Sequence, residues 1–166
     1  MSTDAIVLLK NDHKEIRKAF KDFQNAGDAA HKTKGKLVDK MIELLTAHTY
    51  IENEIMYPRV RKLLPEIEDD VLESYEEHHV ADVLVVELAM MSPTHERFTA
   101  KTTVLIENVT HHIEEEEQEW FPKLREGLGR KVLQEIGAEM AEAKKTAPRR
   151  PSQPSALKKT IDAVIA

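Results

Sequence analysis

The chain has 166 residues, no cysteine, 5 glycines, 33% charged residues and a formal net charge of −6. Without thiols, disulfides, iron–sulfur clusters and cysteine nucleophiles are excluded, so any metal must be held by nitrogen and oxygen. The length fits one domain, the scarcity of glycine favours long helices, and the acidic balance argues against nucleic acid as the main partner, which would need a basic stripe.

From Asp4 to Phe23 the residues Ile6, Leu9, Ile16, Phe20 and Phe23 fall mostly three, four or seven apart, the spacing of one helix face, and Gly27 ends the run. The opening MSTDAIVLLKNDHKEIR lacks the basic start and cleavage site of an export signal. No apolar run approaches the ~18 residues of a membrane span, so the expectation is a cytoplasmic chain with no membrane partner. A second helix is expected over residues 30–64, with Leu37, Met41, Leu44, Leu45, His48, Ile51, Glu52 and Ile55 on one stripe. Pro58 interrupts it late and Pro65 begins the next connection.

A third helix is expected from about Ile67 to Met90. Ser92 and Pro93 read as the N-cap and first position of a fourth, which runs to about Arg125. Gly127 and Gly129 punctuate its end, and Val132 to Lys145 is expected as a short fifth helix. APRRPSQPSA then reads as a flexible linker, and LKKTIDAVIA as a short terminal amphipathic piece. The expected architecture is an all-α bundle over residues 1–128 with a C-terminal extension over residues 129–166. The basic run from Lys144 to Thr160 is read as a solvated tail.

Four of the 8 histidines fall inside helix patterns beside apolar neighbours, where an unpaired imidazole is costly. HTYIENEIMYP places His48 and Glu52 four residues apart, and HIEEEEQEWFP does the same for His112 and Glu116. Such a pair lies about 40° apart around the helix axis and about 6 Å along it, so both side chains present donors to one side. The two segments also share a proline six residues after the glutamate, Pro58 and Pro122, preceded by Tyr57 and Phe121.

This is the mark of an internal duplication with an offset of 64, from 48 to 112. On the preceding helices His13 maps onto His78 at an offset of 65, since Ile16, Phe20 and Phe23 are matched by Ala81, Val85 and Leu88. His79 is the alternative. The candidate ligands are therefore His13, His48, Glu52, His78, His112 and Glu116. Four nitrogens and two carboxylates exceed a tetrahedral zinc site and suit two bridged ions.

Asp12, Glu77 and Asp82 are candidates to orient the imidazoles through the second ring nitrogen. Glu54 and Glu117 are weaker candidates as ligands, and Tyr50 and Tyr57 are read as packing residues. His111 is expected beside the site or exposed, and His31 and His95 solvated. A ferritin-like carboxylate centre would need Glu-x-x-His twice, and that spacing occurs once, at Glu76 and His79.

The order His, His-x-x-x-Glu, His, His-x-x-x-Glu over roughly residues 5–125 resembles the hemerythrin-like family of HHE cation-binding proteins. The resemblance implies an up-down-up-down four-helix bundle and two iron ions bridged by an oxo or hydroxo group and the two glutamates. The oxygen-carrying members have a further histidine where this chain has Asp82, and a longer-spaced aspartate where it has Glu116. Those departures favour reaction with peroxide or nitric oxide over reversible oxygen carriage. The implied function is a di-iron oxidoreductase of oxidative or nitrosative stress, catalase-like or nitric-oxide-reducing. The alternative is a non-enzymatic redox or oxygen sensor, or an oxygen- or iron-binding protein. The implied partner is a small molecule, O2, H2O2 or NO, and the implied assembly a monomer or small homo-oligomer.

Overall fold

The computed structural model describes residues 3–151. LKKTIDAVIA and the second half of the Pro/Ser-rich stretch lie outside the described residues. Helix α1 (Ala5–Asn25) opens where the Asp4 side chain accepts from the Val7 N–H at 2.9 Å, which satisfies one of the orphan donors of the first turn. Helix α2 (His31–Ile51) runs into a π-helical turn, Glu52–Met56, and continues as α3 (Tyr57–Leu63), so three elements make one rod. A 3₁₀ turn, Pro65–Ile67, leads to α4 (Glu68–Ala89), whose first turn carries Glu68, Asp69 and Asp70 at the positive end of its dipole. Helix α5 (Phe98–Glu115), a second π turn (Glu116–Trp120) and α6 (Phe121–Lys144) form the last rod.

Each rod packs on its chain neighbour, and the first also packs on the last, which closes a four-helix bundle. The fourth helix begins later than Ser92-Pro93 implies. The Ser92 hydroxyl instead accepts from the Thr94 N–H, and the Ser92 carbonyl from the His95 N–H, so the segment is spent on turns before Phe98.

The expected fifth helix follows the fourth with no loop between them. The helical course breaks at Gly129, which takes φ 73° and ψ 172°, and then resumes to Lys144. Beyond the bend Leu133, Ile136 and Met140 are buried in the same cluster as Ala5, Leu8 and Leu9. Gly137 permits this approach, because a Cβ there would stand 2.4 Å from the Thr3 carbonyl oxygen.

Both π turns start at a predicted ligand glutamate and end two residues before proline. Tyr57 N–H bonds to the Glu52 carbonyl five residues back, and Phe121 N–H does the same to Glu116. Proline has no N–H to give, and its ring crowds the carbonyl four residues back in an α-turn; one extra residue in the turn relieves that crowding. The duplication visible in the sequence is thus repeated in the backbone.

The apolar residues form two clusters stacked along the bundle axis. One gathers Leu9, Ile51, Val71 and Trp120, and the other Ile16, Leu45, Ala81 and Ile113. Each rod crosses from one cluster to the other, and in each crossing lies a buried polar stretch: Asp12 and His13, His48 and Glu52, His78, and His112 and Glu116. The candidate site is this layer.

Candidate metal centre

The layer brings all six predicted ligands inside the bundle, none more than 5% exposed. Two groups of donors form. His13, His48, Glu52 and Glu116 make the first, and His78, His112 and Glu52 the second, with the donor atoms of each within 4.8 Å of one another. The carboxylates link the groups. Glu52 presents Oε1 to His48 Nε2 at 3.3 Å and Oε2 to His78 Nε2 at 3.0 Å. Glu116 presents Oε2 to His13 Nε2 at 3.2 Å and Oε1 to His112 Nε2 at 3.3 Å. Each glutamate therefore gives one oxygen to each histidine pair.

The donors fit metal ions. His13 Nε2, His48 Nε2, Glu52 Oε1 and Glu116 Oε2 are all buried and make no hydrogen bond, although the pairs stand 3.2–3.3 Å apart. Buried polar atoms are normally satisfied, so four orphaned donors aimed at a common interior point fit a metal ion.

All four rings are oriented the same way, through Nδ1. His13 Nδ1 meets Glu117 Oε1 at 2.8 Å, and Arg17 donates to the same carboxylate at 3.0 Å. His48 Nδ1 meets Asp12 Oδ2 at 3.2 Å, and Lys144 Nζ donates to Asp12 Oδ1. His78 Nδ1 meets Asn53 Oδ1 at 2.8 Å, and His112 Nδ1 meets Glu77 Oε1 at 3.0 Å. With Nδ1 turned to an oxygen acceptor in each ring, Nε2 is the nitrogen that faces the interior and would offer its lone pair to a metal ion.

Burial alone would lower the pKa of His48, but Glu52 and Asp12 outweigh it and push it up to about 10. His112 likewise rises against burial, through Glu116 and Glu77. Burial would raise Glu52, yet the imidazoles of His48 and His78 hold it well below the usual carboxylate range. Glu116 also ends below that range, where His112 and His13 overcome burial and the neighbouring Glu52. The interior thus keeps Glu52 and Glu116 ionised and His48 and His112 charged, a balance that bound cations would take over from protons.

Tyr57, read from the sequence as a packing residue, does more. Its ring does pack, edge-on to Tyr75 and Trp120. Its hydroxyl lies 3.1 Å from His78 Nε2, and donates within reach of Glu52 Oε2 at 3.3 Å and Glu116 Oε1 at 3.2 Å. Burial, then Glu52 and Glu116, push its pKa well above the ordinary value, which keeps the phenol protonated.

Of the expected orienting acids, Asp12 and Glu77 take that role. Asn53 and Glu117 join them without a sequence expectation of it; each adjoins a ligand glutamate in the chain, which is the available signal. His79 belongs to neither group. His111 is 66% exposed and pairs with Glu115, and His31 and His95 lie at the surface.

Two small cavities approach the layer. One of about 60 Å³, lined by Asp70, Glu73, Glu77, Glu119 and Trp120, reaches His112 and Glu116. The other, about 10 Å³, is walled by Leu45, Ala81, Val109 and Ile113 and touches His48, His78 and His112.

The chain aligns over 82% of its length with a DNA nickase of Nostoc sp., at 26% identity, and spans 38% of that protein. It is 25% identical over 149 residues to an uncharacterized hemerythrin-like protein of Schizosaccharomyces pombe, covering 89% of this chain and 72% of that one. The fold matches a crystal structure of a hemerythrin HHE cation binding domain-containing protein from Mycobacterium kansasii. The TM-score is 0.70 at 19% identity, over 97% of this chain and 99% of the other. The family model of the hemerythrin HHE cation binding domain matches residues 4–124, which contain every donor of both groups, and the chain belongs to that family.

Proposed function

We propose that the chain holds two iron ions and reacts with small oxidants, peroxide, nitric oxide or dioxygen, as a cytoplasmic defence against oxidative or nitrosative stress. The observation that carries this reading is the division of Glu52 and Glu116, one oxygen of each toward His13 and His48 and the other toward His78 and His112. That is the donor arrangement of a carboxylate-bridged pair of ions. Paired irons would supply the electrons that reduce an oxidant.

The protein's own part is to hold and shield. The Nδ1 partners fix each imidazole plane, and the two apolar clusters exclude bulk water from the layer. Tyr57 keeps a proton on an oxygen 3.1–3.3 Å from three donor atoms, within reach of a small molecule bound beside the second group. The acid-lined cavity repels anions and admits neutral hydrogen-bonding molecules of the size of peroxide, and the apolar one suits a diatomic gas. The DNA-nicking named for the Nostoc relative belongs to a protein of which this chain spans 38%.

Metal analysis followed by stopped-flow spectroscopy with oxygen, peroxide and nitric oxide tests the proposal. Two irons per chain and rapid turnover are expected. Reversible oxygen binding without turnover would favour a carrier or sensor. Two zinc ions with no visible charge-transfer band would sink both. His112→Ala should lower the iron content, and two irons retained would overturn the ligand assignment.

A further inference from the structure

Lys144 lies in α6 beyond the Gly129 bend and outside the residues matched by the family model, yet it touches the network of the metal layer. Its Nζ donates to Asp12 Oδ1, and the other oxygen of that carboxylate holds His48 Nδ1 at 3.2 Å. Asp12 is 7% exposed, so it is screened from water on most sides and its charge must be balanced by neighbours. The contact spans 132 positions of sequence, which only the packing of Leu133, Ile136 and Met140 against α1 brings together.

The chemistry of this chain of contacts is directional. A carboxylate that accepts from an imidazole N–H pulls on that proton and strengthens the other nitrogen as a donor. A cation on the far oxygen draws negative charge away and weakens the pull. We propose that Lys144 is a positioning residue that sets the donor strength of His48, so that the C-terminal half of α6 tunes the metal position formed by His13, His48, Glu52 and Glu116. Lys144 acts through Asp12 and touches no donor atom itself. The inference rests on the metal-binding reading above.

Lys145 supplies the control. It lines the same cleft of about 490 Å³ beside α1, together with Arg149, but pairs with Glu142 at 2.7 Å. Removing it leaves Asp12 and Lys144 as they are.

The experiment uses the full chain loaded with iron, and in parallel with Co²⁺ as a spectroscopic probe. Lys144→Met should lower the midpoint potential of the iron pair, because Asp12 then pulls harder on His48 and favours the oxidised ion. It should also shift the Co²⁺ ligand-field bands. Lys144→Arg should restore both, and Lys145→Met should change neither. Asp12→Asn should weaken metal binding at this position by about 10- to 100-fold, the range for a lost ring-orienting partner. If Lys144 only docks α6, Lys144→Met will lower the melting temperature of the metal-free chain and leave potential and spectrum unchanged. That result, or a raised potential, overturns the inference. Wild-type chain that takes up neither metal would instead overturn the metal-binding reading on which it rests.

Discussion

The two halves of the metal layer use the same residue types and the same backbone device, but they differ in how they rest. Around His13 and His48, the inward-facing atoms make no hydrogen bonds, and the rings lean on carboxylates backed by Arg17 and Lys144. Around His78 and His112, the Tyr57 hydroxyl ties His78, Glu52 and Glu116 together, and the two imidazole Nε2 atoms stand 3.1 Å apart. A duplicated sequence has produced one half that is open to an ion and one that is internally satisfied. The lesson is that ligand identity fixes what a half-site can bind, while its neighbours fix what binding must displace.

The largest expected effect comes from a residue that both halves share. Glu52→Ala should abolish both metal positions, whereas His78→Ala should leave one ion held by His13 and His48. Iron counted per chain after anaerobic loading separates the outcomes. Equal losses in the two variants would mean that the halves are not separable.

Acidity should act next, and with opposite signs on folding and on binding. His48, raised from 6.5 to about 10, contributes stability that is complete below pH 6.5 and lost as pH rises through about 10. Glu52 and Glu116, depressed from 4.5, contribute stability present above pH 4.5 and lost as pH falls through their lowered values. The metal-free chain should therefore be most stable between about pH 4.5 and 6.5. Metal must displace the protons of His48 and His112, so its affinity should rise with pH above that window. Urea unfolding and metal titration across the range check both signs. A metal-free chain whose stability peaks in strong alkali, above the raised His48 value, would contradict them.

Tyr57→Phe should make the two halves more alike. It removes the hydroxyl that lies between His78 Nε2, Glu52 Oε2 and Glu116 Oε1 and leaves one buried acceptor among them without its donor, which should cost the metal-free chain about 1–3 kcal/mol in urea unfolding. Metal affinity should change more at the His78 and His112 position than at the His13 and His48 position, which Tyr57 reaches only through Glu52 and Glu116. A fully stable variant would show that the hydroxyl does not hold the second half together.

The smallest effect is expected at Arg17, whose side chain is 40% exposed where it meets Glu117. Arg17→Ala should change stability by less than about 1 kcal/mol, because solvent screens the pair. A larger loss would mean that the cation behind His13 matters as much as the burial around it.

Much of the bundle and of its polar layer is legible in the sequence. The repeated His-x-x-x-Glu and the prolines six residues after each glutamate identify two related rods, and the apolar match around His13 selects His78 over His79. These signals are local, because a helix converts fixed spacing into a fixed direction. The start of α5 is not legible, because Ser92 and Pro93 satisfy the N-cap pattern equally well when they fold into a turn. The break at Gly129 is legible, but the direction of the helix that follows is not, since burial of Leu133, Ile136 and Met140 against α1 sets it.

By itself, then, the sequence determined the helical class, the six candidate donors that the bundle gathers in one layer and the absence of thiolate chemistry, since these follow from composition and from periods of a few residues. Only the tertiary structure decided that the Tyr57 hydroxyl enters the second half, that Asn53 and Glu117 steer rings, and that Lys144 reaches Asp12 across the bundle. Those contacts depend on the rotation of one helix against another, a quantity set by packing of the whole core and written in no single stretch of chain.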